Sequence, residues 1–113
     1  MINISSVASV NPTPNSVVYA ATKSAVDSIT CGLAKELGSR NIRVNTIAPG
    51  GVETEGLHRV GIIDGDFEKQ IVAETPLGRL GQPEDIARVA VFLASEDAGW
   101  LTGERITASG GWR

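Results

Sequence analysis

Apolar and polar positions alternate between two rhythms along this chain. Residues 2–5, Ile-Asn-Ile-Ser, read as the end of a buried strand. Residues 6–16 read as loop, broken by Asn11-Pro12 and Pro14-Asn15. Asn15 or Ser16 can cap the helix that follows, which runs to about Leu37. Val26, Ile29, Leu33 and Leu37 step by three, four and four, so they form one apolar stripe. Gly38 is its expected stop. Ile42 to Ala48 is rich in β-branched residues and reads as a second strand, ended by Pro49-Gly50-Gly51. Residues 55–80 are less regular, with a helix predicted over Asp64–Glu74 that turns Phe67, Ile71 and Val72 inward. Pro83 opens a further helix with Glu84 and Asp85 in its first turn, where the helix dipole favours acids. Ile86, Val89, Ala90 and Leu93 form its buried face. After a turn over Gly99–Gly103, Arg105 to Ala108 is a short last strand. Strands that alternate with helices predict an α/β fold with a parallel sheet.

Composition narrows the function classes. The chain has 113 residues and 42% hydrophobic content, enough for one small domain. Its net charge of −3 and the lack of a Lys/Arg run argue against a nucleic-acid partner, and 4% aromatic content leaves few base-stacking platforms. The longest apolar runs fall well short of the ~20 residues that span a bilayer, so no membrane span is expected. Met1 leads directly into the first strand-like run, so no signal peptide is expected. A single cysteine, Cys31, makes no internal disulfide, and the default compartment is the reducing cytoplasm. Cys31 and His58 alone make a poor zinc site, so no metal is expected.

The candidate chemistry lies near the start. Tyr19 and Lys23 are four residues apart, a spacing that puts two side chains on one helix face. Free tyrosine titrates near about 10 and is a poor acid or base at neutral pH. An ammonium at close range favours phenolate over phenol. Ser6, thirteen positions before Tyr19, offers a hydroxyl that can hold the carbonyl or alcohol exchanging the proton. Judged alone, Tyr19 is a half-buried helix residue and Ser6 a strand end. Asn45 reads as structural, bonded to backbone within its strand. His58 reads as an exposed polar residue, Cys31 as a small buried or interface filler, and Trp100 and Trp112 as packing residues.

Taken in order, these segments resemble a known family. Asn3-Ile4-Ser5-Ser6, Tyr19-Ala20-Ala21-Thr22-Lys23, and Ile42-Arg43-Val44-Asn45 running to Pro49-Gly50 are similar to the short-chain dehydrogenase/reductases. Pro76-Leu77-Gly78-Arg79, Gly81-Gln82-Pro83-Glu84-Asp85 and Leu101-Thr102-Gly103-Glu104 look like the C-terminal half of that family. The resemblance covers essentially the whole chain. It implies the C-terminal part of a Rossmann-like doubly wound parallel sheet, about three strands with flanking helices. It implies hydride transfer between NAD or NADP and a secondary alcohol or ketone. Ser6 would hold the substrate oxygen, Tyr19 would exchange the proton, and Lys23 would assist Tyr19 and contact the nicotinamide ribose. Pro49-Gly50-Gly51-Val52-Glu53-Thr54 is similar to the segment whose backbone, at the position of Val52, holds the nicotinamide carboxamide, with Thr54 at the carboxamide or pyrophosphate. Residues 55 to about 74 would form a substrate lid.

One part of that pattern is not in this sequence. A dinucleotide needs a glycine-rich turn whose amides approach a pyrophosphate at a helix N-terminus, and neither Gly-x-Gly-x-x-Gly nor the family's Thr-Gly-x-x-x-Gly-x-Gly occurs. The resemblance places the chain over the last three of seven strands, with the N-terminal dinucleotide-binding half absent. The first strand then lacks a neighbour, and an unpaired apolar edge is adhesive. The expectation is a homo-oligomer, built through that edge or through the 17–37 helix, or association with a separate N-terminal half. The competing expectation is a catalytically inactive remnant that oligomerises and binds no dinucleotide.

Overall fold

The computed structural model describes all 113 residues, Met1 to Arg113. Three short strands, β1 (Ile2–Ile4), β2 (Asn45–Pro49) and β3 (Arg105–Ala108), pair in chain order and all in parallel. Ile2 lies opposite Asn45, and Ile47 opposite both Ile4 and Ile106. Parallel neighbours require long crossovers. Here α1 (Val17–Leu37) makes the first, and α2 (Glu55–Arg59), α3 (Asp66–Glu74) and α4 (Pro83–Ala94) lie in the second. The expected α/β architecture, a three-stranded piece of a parallel sheet with flanking helices, is what the chain forms.

The middle strand is buried on both faces, as parallel strands between helices are. Asn45, Thr46, Ile47 and Ala48 are all within 1% of complete burial. Alternation sends Ile47 toward α4 and Thr46 toward α1. On the α4 side, Ile47, Leu93 and Ala98 form the apolar centre, flanked by Ile2, Ile86, Val89, Ala90 and Ile106. This is the face expected for α4. Pro83 stands at its first turn, and the Asp85 carboxylate accepts from the Gln82 N–H at 2.8 Å. The Arg43 guanidinium closes the far end, donating to the carbonyls of Leu93, Ser95 and Leu101.

The α1 side differs from expectation. Ala20, Thr30 and Ala34 are buried, while Ile29 is 54% exposed. The inward stripe is therefore rotated from the predicted Val26-Ile29-Leu33-Leu37 line. Small and polar residues let the helix lie close to the sheet and bond to it. Thr30 Oγ1 pairs with Thr46 Oγ1, accepts from Asn3 Nδ2 at 2.9 Å, and donates to the Val26 carbonyl. Val18 and Ile29, eleven residues and close to three full turns apart, share the outer face.

Several boundaries shift for local reasons. Gly38 stays right-handed and continues into a 3-10 turn, and the reversal falls on Asn41 at φ 60°, a conformation asparagine tolerates. The Ser16 hydroxyl donates back to the Thr13 carbonyl at 2.6 Å and caps nothing, and Asn15 takes φ 65°. The loop after β1 contains a 3-10 turn at Val7–Ser9. Pairing of β2 begins at Asn45 rather than Ile42. The preceding stretch is held by single groups, with Val44 N–H donating to Thr102 Oγ1 and Gly103 N–H to the Val44 carbonyl. α2 was not predicted, and α3 starts two residues later than expected. Cys31 and Trp100 are exposed, Trp100 almost completely, so neither is a buried filler. No helix is long and apolar enough to cross a membrane.

Asn45 is structural in the expected way. Its Nδ2 donates to the Leu101 carbonyl at 2.9 Å and its Oδ1 accepts from the Glu104 N–H at 3.1 Å. Asn45→Ala strands both groups in a site closed to water, and a loss of about 1–3 kcal/mol follows. Urea unfolding should show a lower midpoint at constant m value. A midpoint equal to wild type would mean that water replaces the amide.

Candidate active site

Tyr19 and Lys23 occupy the first two turns of α1. The Lys23 ammonium lies 5.8 Å from the centroid of the Tyr19 ring, within cation–π range, and donates to the Ile4 carbonyl at 3.1 Å. That carbonyl ends β1, so the lysine ties the helix to the strand. Two further bonds repeat the tie: Ser5 Oγ donates to the Lys23 carbonyl at 3.2 Å, and Ser24 Oγ to the Ser9 carbonyl at 2.6 Å. Ser6 stands at the head of the Val7–Ser9 turn, where its Oγ accepts from the Ala8 N–H at 3.1 Å.

A cleft of about 450 Å³ opens at the carboxyl ends of the strands, where open parallel sheets bind ligands. Ser6 and Tyr19 both line it, as do Gly50, Val52 and Thr54. Five of the seven sequence-derived site residues thus meet at one opening. Lys23 and Pro49 do not line it. Lys23 lies one turn behind Tyr19, and Pro49 is the last residue of β2. The opposite wall is apolar: Leu57 of α2, Ile62, and Phe67 and Ile71 of α3, with Trp112 from the C-terminal segment. A second cavity of about 260 Å³ lies past the end of β3, among Arg79, Arg113 and glycines. None of Ser6, Tyr19 or Lys23 borders it, so the candidate chemistry belongs to the larger cleft.

The segment after β2 is built for close approach. A Cβ on Gly50 would lie 2.7 Å from the Ser109 Cβ and 2.8 Å from its Cα, so only glycine lets the ends of β2 and β3 converge. Val52 then bridges to Gly81 in parallel, with Glu53 N–H donating to the Gly81 carbonyl at 2.9 Å. Thr54 caps α2, its Oγ1 accepting from the Leu57 N–H. Glu53 is held charged by Gln82 Nε2, at 2.9 Å, and by His58, at 3.0 Å, which together lower its pKa. Glu74, at the end of α3, is lowered by Gln70 and by the Trp112 indole N–H at 3.0 Å. Trp112 therefore fastens the C-terminal segment to α3 beside the cleft. Reading it only as a packing residue missed this. The signal was its place just after a Gly-Gly pair that ends a parallel strand, since ligand sites gather at those ends.

These residues fit one end of a dinucleotide. Gly50 and Gly51 bring backbone to the cleft edge, and the Tyr19, Ser6 and Thr54 hydroxyls add donors and acceptors suited to a ribose or carboxamide. The glycine-rich turn for a pyrophosphate is not among the 113 residues.

Comparison with known proteins settles the family. The family model described as enoyl-(acyl carrier protein) reductase matches residues 1–113. The chain is 56% identical over 113 residues to an uncharacterised oxidoreductase of Methylorubrum extorquens, covering all of this chain and 46% of that protein. It is 42% identical over 111 residues to the 7α-hydroxysteroid dehydrogenase of Escherichia coli K12, covering 98% of this chain and 43% of that one. A solved 7α-hydroxysteroid dehydrogenase, complexed with NADH and 7-oxo glycochenodeoxycholic acid, superposes with a TM-score of 0.92 at 41% identity, covering 98% of this chain and 43% of that one. The chain belongs to the short-chain dehydrogenase/reductase family. It spans less than half the length of these relatives, and the part it spans has the Rossmann-like topology of their sheet.

The second cavity, past the end of β3, carries a pH-dependent contact. The Arg79 guanidinium, 2.8 Å from Asp85, and then the Gln82 N–H pull the Asp85 carboxyl from its ordinary value of 3.8 to about 2. A carboxyl lowered on folding contributes stability that is complete above its unfolded value and lost as pH falls through about 2. Asp85→Asn should flatten the acid limb of unfolding midpoint against pH between about 4 and about 2, by a small amount because the pair is exposed. An acid limb identical in both proteins would show the pair contributes nothing.

Proposed function

We propose that this chain is the C-terminal, catalytic half of an NAD(P)-dependent oxidoreductase that interconverts a secondary alcohol and a ketone. The observation that carries the reading is the meeting of Ser6 and Tyr19 at one cleft, with Lys23 one helical turn behind the phenol. Family membership over all 113 residues supports it, as do relatives solved with NADH or NADPH.

The bound nicotinamide supplies or accepts the hydride. Ser6 Oγ orients the substrate oxygen by hydrogen bond. The Tyr19 hydroxyl gives that oxygen its proton in reduction and takes it in oxidation. Lys23 keeps a positive charge beside the phenol and reaches toward the ribose. The backbone at Val52 and the Thr54 hydroxyl hold the carboxamide end, and Gly50 lets that backbone come close. Leu57, Ile62, Phe67, Ile71 and Trp112 cover the rest of the substrate and keep water from the reacting oxygen. The pyrophosphate falls to chain other than residues 1–113. The reducing cytoplasm is the compartment assigned, in keeping with a single exposed cysteine.

Two measurements test this. In the protein that joins this chain to its nucleotide-binding half, Tyr19→Phe should lower kcat by roughly 10²–10⁴ while NAD(P)H affinity stays within about twofold. Turnover close to wild type would remove Tyr19 from the mechanism. The 113-residue chain alone should show no saturable NADH or NADPH fluorescence change below about 1 mM. Micromolar binding would contradict the assignment of the pyrophosphate to other chain.

We also propose that the protein self-associates. β1 pairs only with β2, which leaves its outer edge unpaired, and Val17, Val18 and Ile29 are bare on the outside of α1. Light scattering after gel filtration should give a dimer or larger, and Ile29→Glu should shift it toward monomer. A wild-type monomer at about 100 µM would sink this claim.

A further inference from the structure

Arg105 is the first residue of β3, and its side chain crosses the α1 face of the sheet to the far end of β1. Every guanidinium nitrogen is engaged. Nε donates to Asp27 Oδ2 at 3.0 Å and Ser9 Oγ at 3.2 Å, and Nη1 to Thr107 Oγ1 at 2.8 Å. Nη2 donates to the Ser6 carbonyl at 2.9 Å and to Ser9 Oγ at 3.0 Å. The side chains of Arg105 and Asp27 are only 23% and 19% exposed.

The acceptors decide what this arginine does. The Ser6 carbonyl also receives the Ser9 N–H at 3.1 Å, so the guanidinium grips the peptide that closes the Ser6–Ser9 turn. At its other end it grips Asp27. Tyr19, Lys23 and Asp27 step by four along α1, so Asp27 shares the helix face of the proposed proton donor. The second Asp27 oxygen is buried without a partner, which leaves Arg105 to set that carboxylate's orientation. A planar fork of fixed geometry between two such points holds them at a fixed separation. Stability alone is a weak reason for this pair, since apolar residues of similar size often serve a buried position as well or better.

We propose that Arg105, anchored on Asp27, is a positioning residue that sets Ser6 against Tyr19 across the cleft. The inference rests on the proton-exchange reading given above, and its test is arranged to stand apart from it. The variant is the double substitution Arg105→Met with Asp27→Leu, which removes the clamp without leaving a lone buried charge. Amide hydrogen exchange in the 113-residue chain supplies the readout. Ser9 and Asn11, whose N–H groups donate to the carbonyls of Ser6 and Val7, should exchange about tenfold faster or more, while α4 amides stay within about twofold. Arg105→Lys should show the same local change with an unfolding temperature near wild type, because lysine keeps the charge but cannot span both ends. Unchanged protection at Ser9 and Asn11, or uniform acceleration across the molecule, overturns the proposal. Where the wild-type protein turns over a secondary alcohol, the double variant should lose roughly 10²-fold in kcat at constant cofactor KM, and an unchanged kcat equally overturns it. A wild-type protein without turnover counts against the proton-exchange reading alone, and the exchange rates then decide the role of Arg105.

Discussion

The polar seam between α1 and the sheet governs most of what this molecule can do. On the opposite face, α4 is held by apolar burial of its Leu93 against Ile47 and Ala98. Such contact is non-directional and fixes a helix only as well as its shapes interlock. α1 is held differently. Thr30 meets Thr46 and Asn3, Lys23 meets Ile4, Ser24 meets Ser9, and Asp27 meets Arg105. Each bond is worth only about 0.5–1.5 kcal/mol net, but each has one good geometry, and sliding the helix breaks several together. The rotation and register of α1 are thereby fixed relative to β1. Tyr19 lies on α1, and Ser6 stands in the turn that directly follows β1.

A parallel sheet explains why the cleft lies where it does. All three strands run the same way, so the segments that leave them emerge at one end. Ser6 follows β1, Gly50 and Val52 follow β2, and Trp112 follows β3. Convergence is limited by bulk, and the absence of a side chain at Gly50 removes the limit where Ser109 comes nearest. Over this opening the second crossover lays α2 and α3 before the chain returns through α4. The wall on the β1 side carries the hydroxyls of Ser6, Thr13, Ser16 and Tyr19 beside Val7 and Ala8, and the wall on the α2 and α3 side is apolar.

Much of the scaffold was legible because local and tertiary demands agree there. β3 falls at Arg105–Ala108 and the inward face of α4 at Ile86, Val89, Ala90 and Leu93, as the pattern requires. The Tyr19–Lys23 pair could be read because helical spacing alone makes four-apart residues neighbours. Where hydrophobicity failed, it failed for one reason. A stripe of valine, isoleucine and leucine on α1 signals burial without saying against what. The sheet takes Ala20, Thr30 and Ala34, and Ile29 faces outward with Val18. Arg105 and Trp112 were missed on different grounds. The bond from Arg105 to Ser6 joins residues 99 apart in sequence, and no spacing rule reaches that far. α2, at five residues, is too short for any periodicity to register.

The two unlike walls bear on chemistry as well as architecture. A proton passes efficiently between oxygens only when donor and acceptor are held within hydrogen-bond distance, and small misplacements are costly. An apolar wall cannot provide that hold, because hydrophobic contact tolerates displacement of the bound body. The polar seam can, since the position of Tyr19 follows from a helix already pinned by Thr30, Lys23 and Asp27. Under the proposed reaction the labour divides accordingly. Substrate shape is read by Leu57, Phe67, Ile71 and Trp112, on segments outside the sheet, while the reacting oxygen meets groups fixed from within it. The apolar wall can then change with the substrate without disturbing the distance between Ser6 and Tyr19.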